Sequence, residues 1–343
     1  MKIVIDADIP FVQGVFEPYA TVVYRSGGEI CREDLADAVA LIVRTRTRCD
    51  ASLLEGTQVK IIASATIGTD HIDLQYCALK GIFVQNAAGC NAGGVMNYVM
   101  SAVYGVASRK ELDLRNSTFG IIGVGNVGNR VEGAARRLGF NVLLNDPPRA
   151  DAEGSGQFCP LEELLSSSDI VSLHVPLNET TRGMASDALF ARMKQGAIFI
   201  NSSRGEVVDE QALLQARPKL GAVVIDTWAN EPHINRDVLE ICDVATPHIA
   251  GYSYQGKQNA TAAAVRAVAR FLDLKDLFNF FPQSTVPSLF AVHLDVAGLS
   301  QGEIASVIQY NYPIFADDFI FRTNVDQFEQ LRSNYRYRRE FML

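Results

Sequence analysis

Three residues far apart in this chain of 343 could act together on one small molecule: Arg204, Glu231 and His248. Imidazole titrates near neutral pH, so His248 suits a proton given to or taken from an oxygen. Glu231 could hold its second ring nitrogen. Arg204 offers a planar fork that grips a carboxylate and polarises a carbonyl. Together these residue types suit a 2-hydroxy or 2-oxo acid. Singly, each has a plainer reading: a surface ion-pair arginine, a turn acid before Pro232 and a loop histidine. Only placement at one site would make them chemistry.

The elements that would position them are short apolar runs that read as strands. Ile198–Asn201 precedes Ser202-Ser203-Arg204-Gly205, Ala222–Asp226 precedes Thr227 through Glu231, and Val244–Thr246 precedes Pro247-His248. A further run spans Ile170–Val175, and helical patterns lie between at Leu161–Ser166, Ser186–Lys194 and Asp209–Ala216. Strands of one parallel sheet point the same way, so the polar residues after them converge on one edge.

Upstream, the apolar run Phe119-Gly120-Ile121-Ile122 leads into Gly123-Val124-Gly125-Asn126-Val127-Gly128. A helical stretch follows from Asn129 to Leu138, then a strand pattern at Asn141-Val142-Leu143-Leu144, then Asp146. Strand, G-x-G-x-x-G, helix, strand and acid in this order form a dinucleotide fingerprint. Its glycines let backbone approach a pyrophosphate at a helix N-terminus, and the acid accepts the adenosine ribose hydroxyls. The charge on Asp146 favours NAD over NADP, while nearby Arg149 could accommodate a 2′-phosphate. A nicotinamide moves a hydride. The protein has then to hold the substrate carbon near the ring and manage a proton on the adjoining oxygen.

Residues 1–90 carry strand patterns at Ile3–Asp6, Thr21–Tyr24, Ala40–Val43, Ile61–Ala65 and Phe83–Gln85, with helical patterns such as Arg32–Ala38 and Ile72–Lys80 between. This βα alternation predicts a second parallel sheet without a fingerprint. Its strands end in polar turns, Arg44-Thr45-Arg46 and Thr66-Ile67-Gly68-Thr69, where ligands of such sheets gather. Asn91 reads as the cap of a helix reaching Ser108, although Gly93-Gly94 weaken its first turn. A helix over Gly256–Leu274 returns the chain to the first domain. The tail holds a strand candidate at Leu289–Leu294, a helix candidate at Gln301–Ile308 and the basic aromatic run Tyr335-Arg336-Tyr337-Arg338-Arg339. The division predicted is 1–90 plus 253–281, 91–252 and 282–343. His174 reads as a core histidine satisfied within its strand, and His71 as capping a helix with Asp70.

With 48% hydrophobic residues, a net charge of −8 and no long basic run, the chain reads as globular, with neither nucleic acid nor an anionic membrane as partner. Six scattered cysteines without a C-x-x-C point to reduced thiols, and no run has signal-peptide or membrane-spanning character, which places the protein in the cytoplasm. No His, Cys or carboxylate cluster has metal-ligand spacing, so no metal is expected.

The chain resembles the D-isomer-specific 2-hydroxyacid dehydrogenases. The matching stretches are Gly120 to Gly128, Leu173-His174-Val175-Pro176-Leu177, Asn201-Ser202-Ser203-Arg204-Gly205 and Thr246-Pro247-His248-Ile249-Ala250-Gly251. The resemblance implies an α/β protein: a Rossmann-type doubly wound parallel sheet, a flavodoxin-like substrate domain and a small C-terminal α+β dimerisation domain. It makes Arg204, Glu231 and His248 the catalytic set. NAD contacts would fall at Gly123, Gly125, Asn126, Val127, Gly128, Asp146, Val175, Ser202, Ser203, Arg204, Asp226 and Gly251. Within the family the chain looks most like members with an extra dimerisation domain that act on a phosphorylated sugar acid. That implies a homodimer, a small phosphorylated 2-hydroxy acid, and substrate contacts at Thr45, Thr66 and Tyr252. It also implies an arginine reaching the phosphate from a second subunit, best matched by Arg338. One departure is Asn97, where the family usually has an acid. Two other readings stay open: a dehydrogenase for a different 2-hydroxy acid, of phosphoglycerate or glyoxylate type, and a non-catalytic NAD-sensing protein.

Overall fold

The computed structural model describes residues 1–284 and 286–343, which divide into two units, Met1–Asn91 with Tyr254–Phe290 and Ala92–Ser253 with Ala291–Leu343. In the first unit the strands are β1 (Lys2–Asp6), β2 (Thr21–Arg25), β3 (Ala38–Val43), β4 (Ile61–Ser64) and β5 (Phe83–Asn86). All pair in parallel in the order β2-β1-β3-β4-β5, the flavodoxin-like arrangement. The helix Tyr254–Phe271 lays Ala260, Ala264, Val265 and Val268 against Ile3, Ile5, Ala40 and Ile42 of this sheet.

Two helices here are shorter than their sequence patterns. The first is Arg32–Leu35, because Ala38 already belongs to β3, where tertiary pairing overrides alanine's helix preference. The second is Leu74–Leu79, capped by Asp73, whose carboxylate accepts from the Tyr76 N–H at 2.8 Å. The cap is therefore not His71 with Asp70; the His71 Nε2 lies 3.4 Å from the Ser64 hydroxyl instead.

The second unit has β6 (Thr118–Ile122), β7 (Asn141–Asn145), β8 (Ile170–Leu173), β9 (Ile198–Asn201), β10 (Ala222–Ile225) and β11 (Val244–Ala245). They too are parallel, in the order β11-β10-β9-β8-β6-β7. Strands β8, β9 and β10 are buried at every position. That is why their sequences are continuous apolar runs rather than alternations. The order reverses at β6, which has β7 on one side and β8 on the other. The glycine loop leaves the sheet at this switch point, where open α/β sheets bind ligands.

The helix Ala92–Lys110 is buried along most of its length. Two glycines stand in its first turn, and side chains crowd both. A Cβ on Gly93 would stand 2.2 Å from a Glu340 carboxylate oxygen, and one on Gly94 would stand 3.1 Å from the Ser253 hydroxyl. Glu340 comes from the tail, whose Ile304, Ile308, Tyr312, Ile314 and Phe341 join the second unit's core. Pro287 opens a 3-10 turn at Pro287–Leu289, so the predicted strand shrinks to β12 (Val292–His293), which pairs in parallel with β13 (Phe341–Met342). The helix candidate is Gln301–Asn311, begun by a capping box of Ser300 and Glu303. Among the described residues no helix is long and apolar enough to cross a membrane.

Asn97 ties the long helix to β13. Buried, it donates from Nδ2 to the Phe341 carbonyl at 2.7 Å and accepts from the Phe341 N–H at 2.9 Å. An ionised carboxylate can accept but not donate, so an amide is needed here. Asn97→Asp should cost about 1–3 kcal/mol at neutral pH, a deficit that shrinks as acid protonates the new carboxyl. Urea unfolding at two pH values checks this. An unchanged midpoint at neutral pH would contradict it.

Candidate active site

Each glycine of the loop after β6 answers a different demand. Gly123 has φ +86°, and a Cβ there would lie 2.7 Å from the His174 carbonyl and 2.9 Å from Val175. A Cβ on Gly128 would lie 2.1 Å from the Gly123 carbonyl. These two serve the turn and the seating of the helix Asn126–Arg137 on the sheet. At Gly125 a Cβ would meet nothing within 4 Å. The space beside it faces the helix N-terminus, whose first turn, with exposed Asn126 and half-buried Val127, has N–H groups without intrahelical acceptors. This is a cradle for a phosphate group. Asp146 closes it: one carboxylate oxygen accepts from the Val124 N–H at 2.8 Å, the other from the Arg149 N–H at 3.1 Å. Arg149 does not wait for a 2′-phosphate. Its guanidinium donates twice to Glu153, at 2.7 Å each, and to the Val124 carbonyl at 2.6 Å. The site fits NAD.

At the other strand ends, Glu231 and His248 meet. The His248 Nδ1 stands 2.8 and 3.1 Å from the two Glu231 oxygens, and both side chains are half-buried. One of those oxygens also accepts from the Trp228 N–H at 2.9 Å. Burial raises the Glu231 carboxyl, but the hydrogen bond and charge of His248, the Trp228 N–H and the charge of Arg332 outweigh it, and the pKa lies below the ordinary value. Glu231 is thus a carboxylate at neutral pH. With Nδ1 donating to it, the His248 Nε2 is the nitrogen left to exchange a proton with a ligand.

His248 is aimed by backbone strain. Its φ is +56°, and its N–H donates to the Asp226 carbonyl at 2.7 Å. The Asp226 carboxylate, 1% exposed, accepts from the Thr246 hydroxyl at 2.6 Å and from the N–H groups of Ile249 and Ala250 at 2.8 and 3.0 Å. Burial pushes its pKa up, opposed by His248 and these donors. Asp226 therefore spends its carboxylate on shaping the turn that carries His248 and Gly251.

Arg204 follows β9, next to β10, with a loop folded around Asn201. The Asn201 Oδ1 accepts from the Ser203 N–H and hydroxyl at 3.1 and 2.7 Å, and its Nδ2 donates to the Arg204 carbonyl at 2.9 Å. Gly205 touches the loop that bears Glu231: a Cβ there would lie 1.9 Å from the Trp228 carbonyl carbon. The structure thus brings Arg204, Glu231 and His248 to one edge of three neighbouring strands. Sequence motifs did not single out Asn201 or Trp228 as the residues that fix these loops.

Among the described residues, three buried polar atoms at this edge lack hydrogen-bond partners: His174 Nδ1, Ser202 Oγ and Thr227 Oγ1. They follow β8, β9 and β10. Unpaired polar atoms are costly unless a ligand satisfies them. His174 lies past the end of β8 rather than inside it; its Nε2 is 3.0 Å from the Ser172 hydroxyl, and burial pushes its pKa down to about 3. It is a neutral ring with one nitrogen open, not the fully satisfied core histidine that the sequence predicts.

Thr45 and Thr66 belong to the first unit, where they follow the adjacent strands β3 and β4. The Thr66 hydroxyl lies 2.8 Å from that of Ser64. Tyr252 belongs to the second unit, edge-on to Tyr335 and Tyr337 with centroids 6.0 and 6.2 Å away. The Arg338 guanidinium is clasped by the buried Asp317 carboxylate of its own chain through both terminal nitrogens and donates to the Tyr335 hydroxyl at 2.7 Å. Burial disfavours its charge, but Asp317, Tyr335 and Tyr312 together more than restore it. No group of three or more His, Cys, Asp or Glu among the described residues could hold a metal ion.

Residues 96–250 match the family model described as D-isomer specific 2-hydroxyacid dehydrogenase, NAD binding domain. An erythronate-4-phosphate dehydrogenase of Bacteroides fragilis is 41% identical, over 99% of this chain and 97% of its own. One from Yersinia enterocolitica is 38% identical, over 99% and 93%. Among solved structures, D-lactate dehydrogenase from Aquifex aeolicus, complexed with NAD and lactic acid, superposes with a TM-score of 0.68 at 27% identity, over 83% of this chain and all of its own. A 3-phosphoglycerate dehydrogenase of Entamoeba histolytica with NAD+ bound gives 0.67 at 28%, over 80% and 96%.

The two kinds of glycine should separate experimentally. Gly125→Ala should cost at most about 1 kcal/mol, yet weaken NAD roughly tenfold or more by filling the cradle. Gly205→Ala should destabilise by about 3 kcal/mol or more through overpacking. Thermal melts and fluorescence titration with NAD check both. NAD binding unimpaired by Gly125→Ala would contradict the cradle.

Proposed function

Because the chain belongs to the D-isomer-specific 2-hydroxyacid dehydrogenases, we propose that it oxidises 4-phospho-D-erythronate at C2 to 3-hydroxy-2-oxo-4-phosphooxybutanoate, with NAD as acceptor, in the synthesis of pyridoxine 5′-phosphate. The chemistry is supported above all by the His248–Glu231 pair at the sheet edge that carries the glycine cradle. The choice of substrate rests on coverage. Relatives named for this activity match 99% of the chain, tail included, whereas the D-lactate and 3-phosphoglycerate enzymes superpose on 83% and 80%.

NAD, when bound, would supply the acceptor for the hydrogen of C2 and its electron pair. Asp146 would hold the adenosine ribose, and the donors at the start of the Asn126–Arg137 helix would hold the pyrophosphate. Arg204 grips the C1 carboxylate and polarises the C2 oxygen. His248 takes the proton of the C2 hydroxyl on Nε2 while Nδ1–H remains on Glu231, whose charge steadies the ring as it becomes cationic. Thr45, Thr66 and Tyr252 offer hydroxyls to the polar substrate. The protein acts as a homodimer, and a phosphate contact from Arg338 would compete with Asp317 for the guanidinium.

A turnover screen tests this reading. 4-Phospho-D-erythronate should reduce NAD with a kcat/KM ~100-fold or more above that of unphosphorylated D-erythronate. Preference for a three-carbon phosphate would overturn the substrate, and no turnover of any 2-hydroxy acid would overturn the activity. His248→Gln should lower kcat by about 10²–10⁴-fold with the fold intact; undiminished turnover would remove His248 from the proton step.

A further inference from the structure

One half-buried cation reaches the proton-handling pair from the tail. Arg332 lies in the helix Phe328–Ser333, in the same unit as Glu231 and His248. Its side chain is 17% exposed, and its Nη1 is 3.9 Å from Glu231 Oε2, the oxygen that His248 Nδ1 contacts at 2.8 Å. The same Nη1 donates to Glu329 at 3.2 Å. Tyr252 lies close enough to favour the charge of the guanidinium. Its Nε is buried with no hydrogen-bond partner, and the Phe328 ring lies 5.8 Å from its centre. An exposed ion pair of this length would contribute little. Here both partners are withdrawn from solvent, so the charge is poorly screened. Burial opposes a charged Arg332, yet Tyr252, Glu231 and Glu329 together favour it.

We propose that Arg332 is a positioning residue for the reaction: it holds the Glu231 carboxylate against His248, so that the tail completes the active centre of its own chain. This rests on the function proposed above. Among the described residues, the charged groups that act on Glu231 are His248 from the loop after β11 and Arg332 from the tail helix; Asp226 acts in turn on His248, and Tyr252 and Glu329 on Arg332. Burial is the largest influence on Glu231 and acts to raise it; Arg332 is among the influences that lower it. Removing that cation raises the Glu231 pKa, so the carboxylate is lost at a higher pH as acid is added.

Arg332→Met and Arg332→Lys in the full-length chain test this with two readouts. In the first, 13C NMR titration of the Glu231 carboxyl, assigned through Glu231→Gln, should show a midpoint about one unit higher in Arg332→Met, the low end for loss of a close opposite charge. Arg332→Lys should recover most of the shift. In the second, with NAD and 4-phospho-D-erythronate, Arg332→Met should lower kcat ~10-fold. It should leave NAD affinity unchanged. A Glu231 midpoint that does not move in either variant overturns the proposal, whatever the turnover. A midpoint that moves in a protein whose wild type oxidises no 2-hydroxy acid sinks the function and leaves the hold of Arg332 on Glu231 standing.

Discussion

The aim of one imidazole depends on one buried carboxylate. Asp226 follows β10 with almost no exposure, and three donors converge on it from Thr246, Ile249 and Ala250. They bend the chain so tightly that His248 is left at φ +56°. A histidine in that region stores on the order of 1–3 kcal/mol of strain, tolerated only where its surroundings over-determine it. The surroundings reach further than the loop. The Thr246 hydroxyl, donating to Asp226, accepts from the Tyr98 hydroxyl at 2.8 Å, and the Trp228 indole donates to the Thr246 carbonyl at 2.8 Å. Tyr98 sits on the helix Ala92–Lys110, so the second unit's central helix bears on the angle of the histidine.

Two carboxylates thus flank His248, and their settings push them in opposite directions. Asp226 is sealed in, and burial drives its pKa up despite its donors. Glu231 is only half-buried and lies against the ring itself, and His248, Trp228 and Arg332 bring its pKa down. Groups of one chemical type whose environments separate them take separate roles. Asp226 shapes the turn; Glu231 answers the charge on the ring. The stability that Glu231 gains from the pair follows the same sign. It is fully present above the unfolded carboxylate value of about 4.3, and is lost as pH falls through the lowered folded value.

Much of this was legible in the amino-acid order. Strands β8, β9 and β10 are buried on both faces and so read as unbroken apolar runs. Once they are taken as parallel, Arg204, Glu231 and His248 must share an edge. The glycine fingerprint located the switch point for the same reason. What stayed hidden depends on tertiary contact. Nothing local to Gly93 announces that Glu340 will fill the space of its side chain. Asn97 looks like a lost acid until β13 is laid beside it. Ala38 has a helix former's preference but a strand's partners. The link from Arg332 to Glu231 spans a sequence separation that no motif covers. Arg149 was different. Glu153, four residues on, is the spacing of a helical ion pair, so its engagement could have been read in advance.

The claim at the centre is that His248 offers Nε2 to the reacting oxygen while Glu231 holds Nδ1. A crystal structure of the complex with NAD and an unreactive 2-hydroxy acid phosphate would test it most directly. The account places the C2 oxygen within about 2.6–3.2 Å of His248 Nε2, with the Glu231 bond retained. A complex in which the ring has turned away, or in which another side chain occupies that distance from the C2 oxygen, would contradict it.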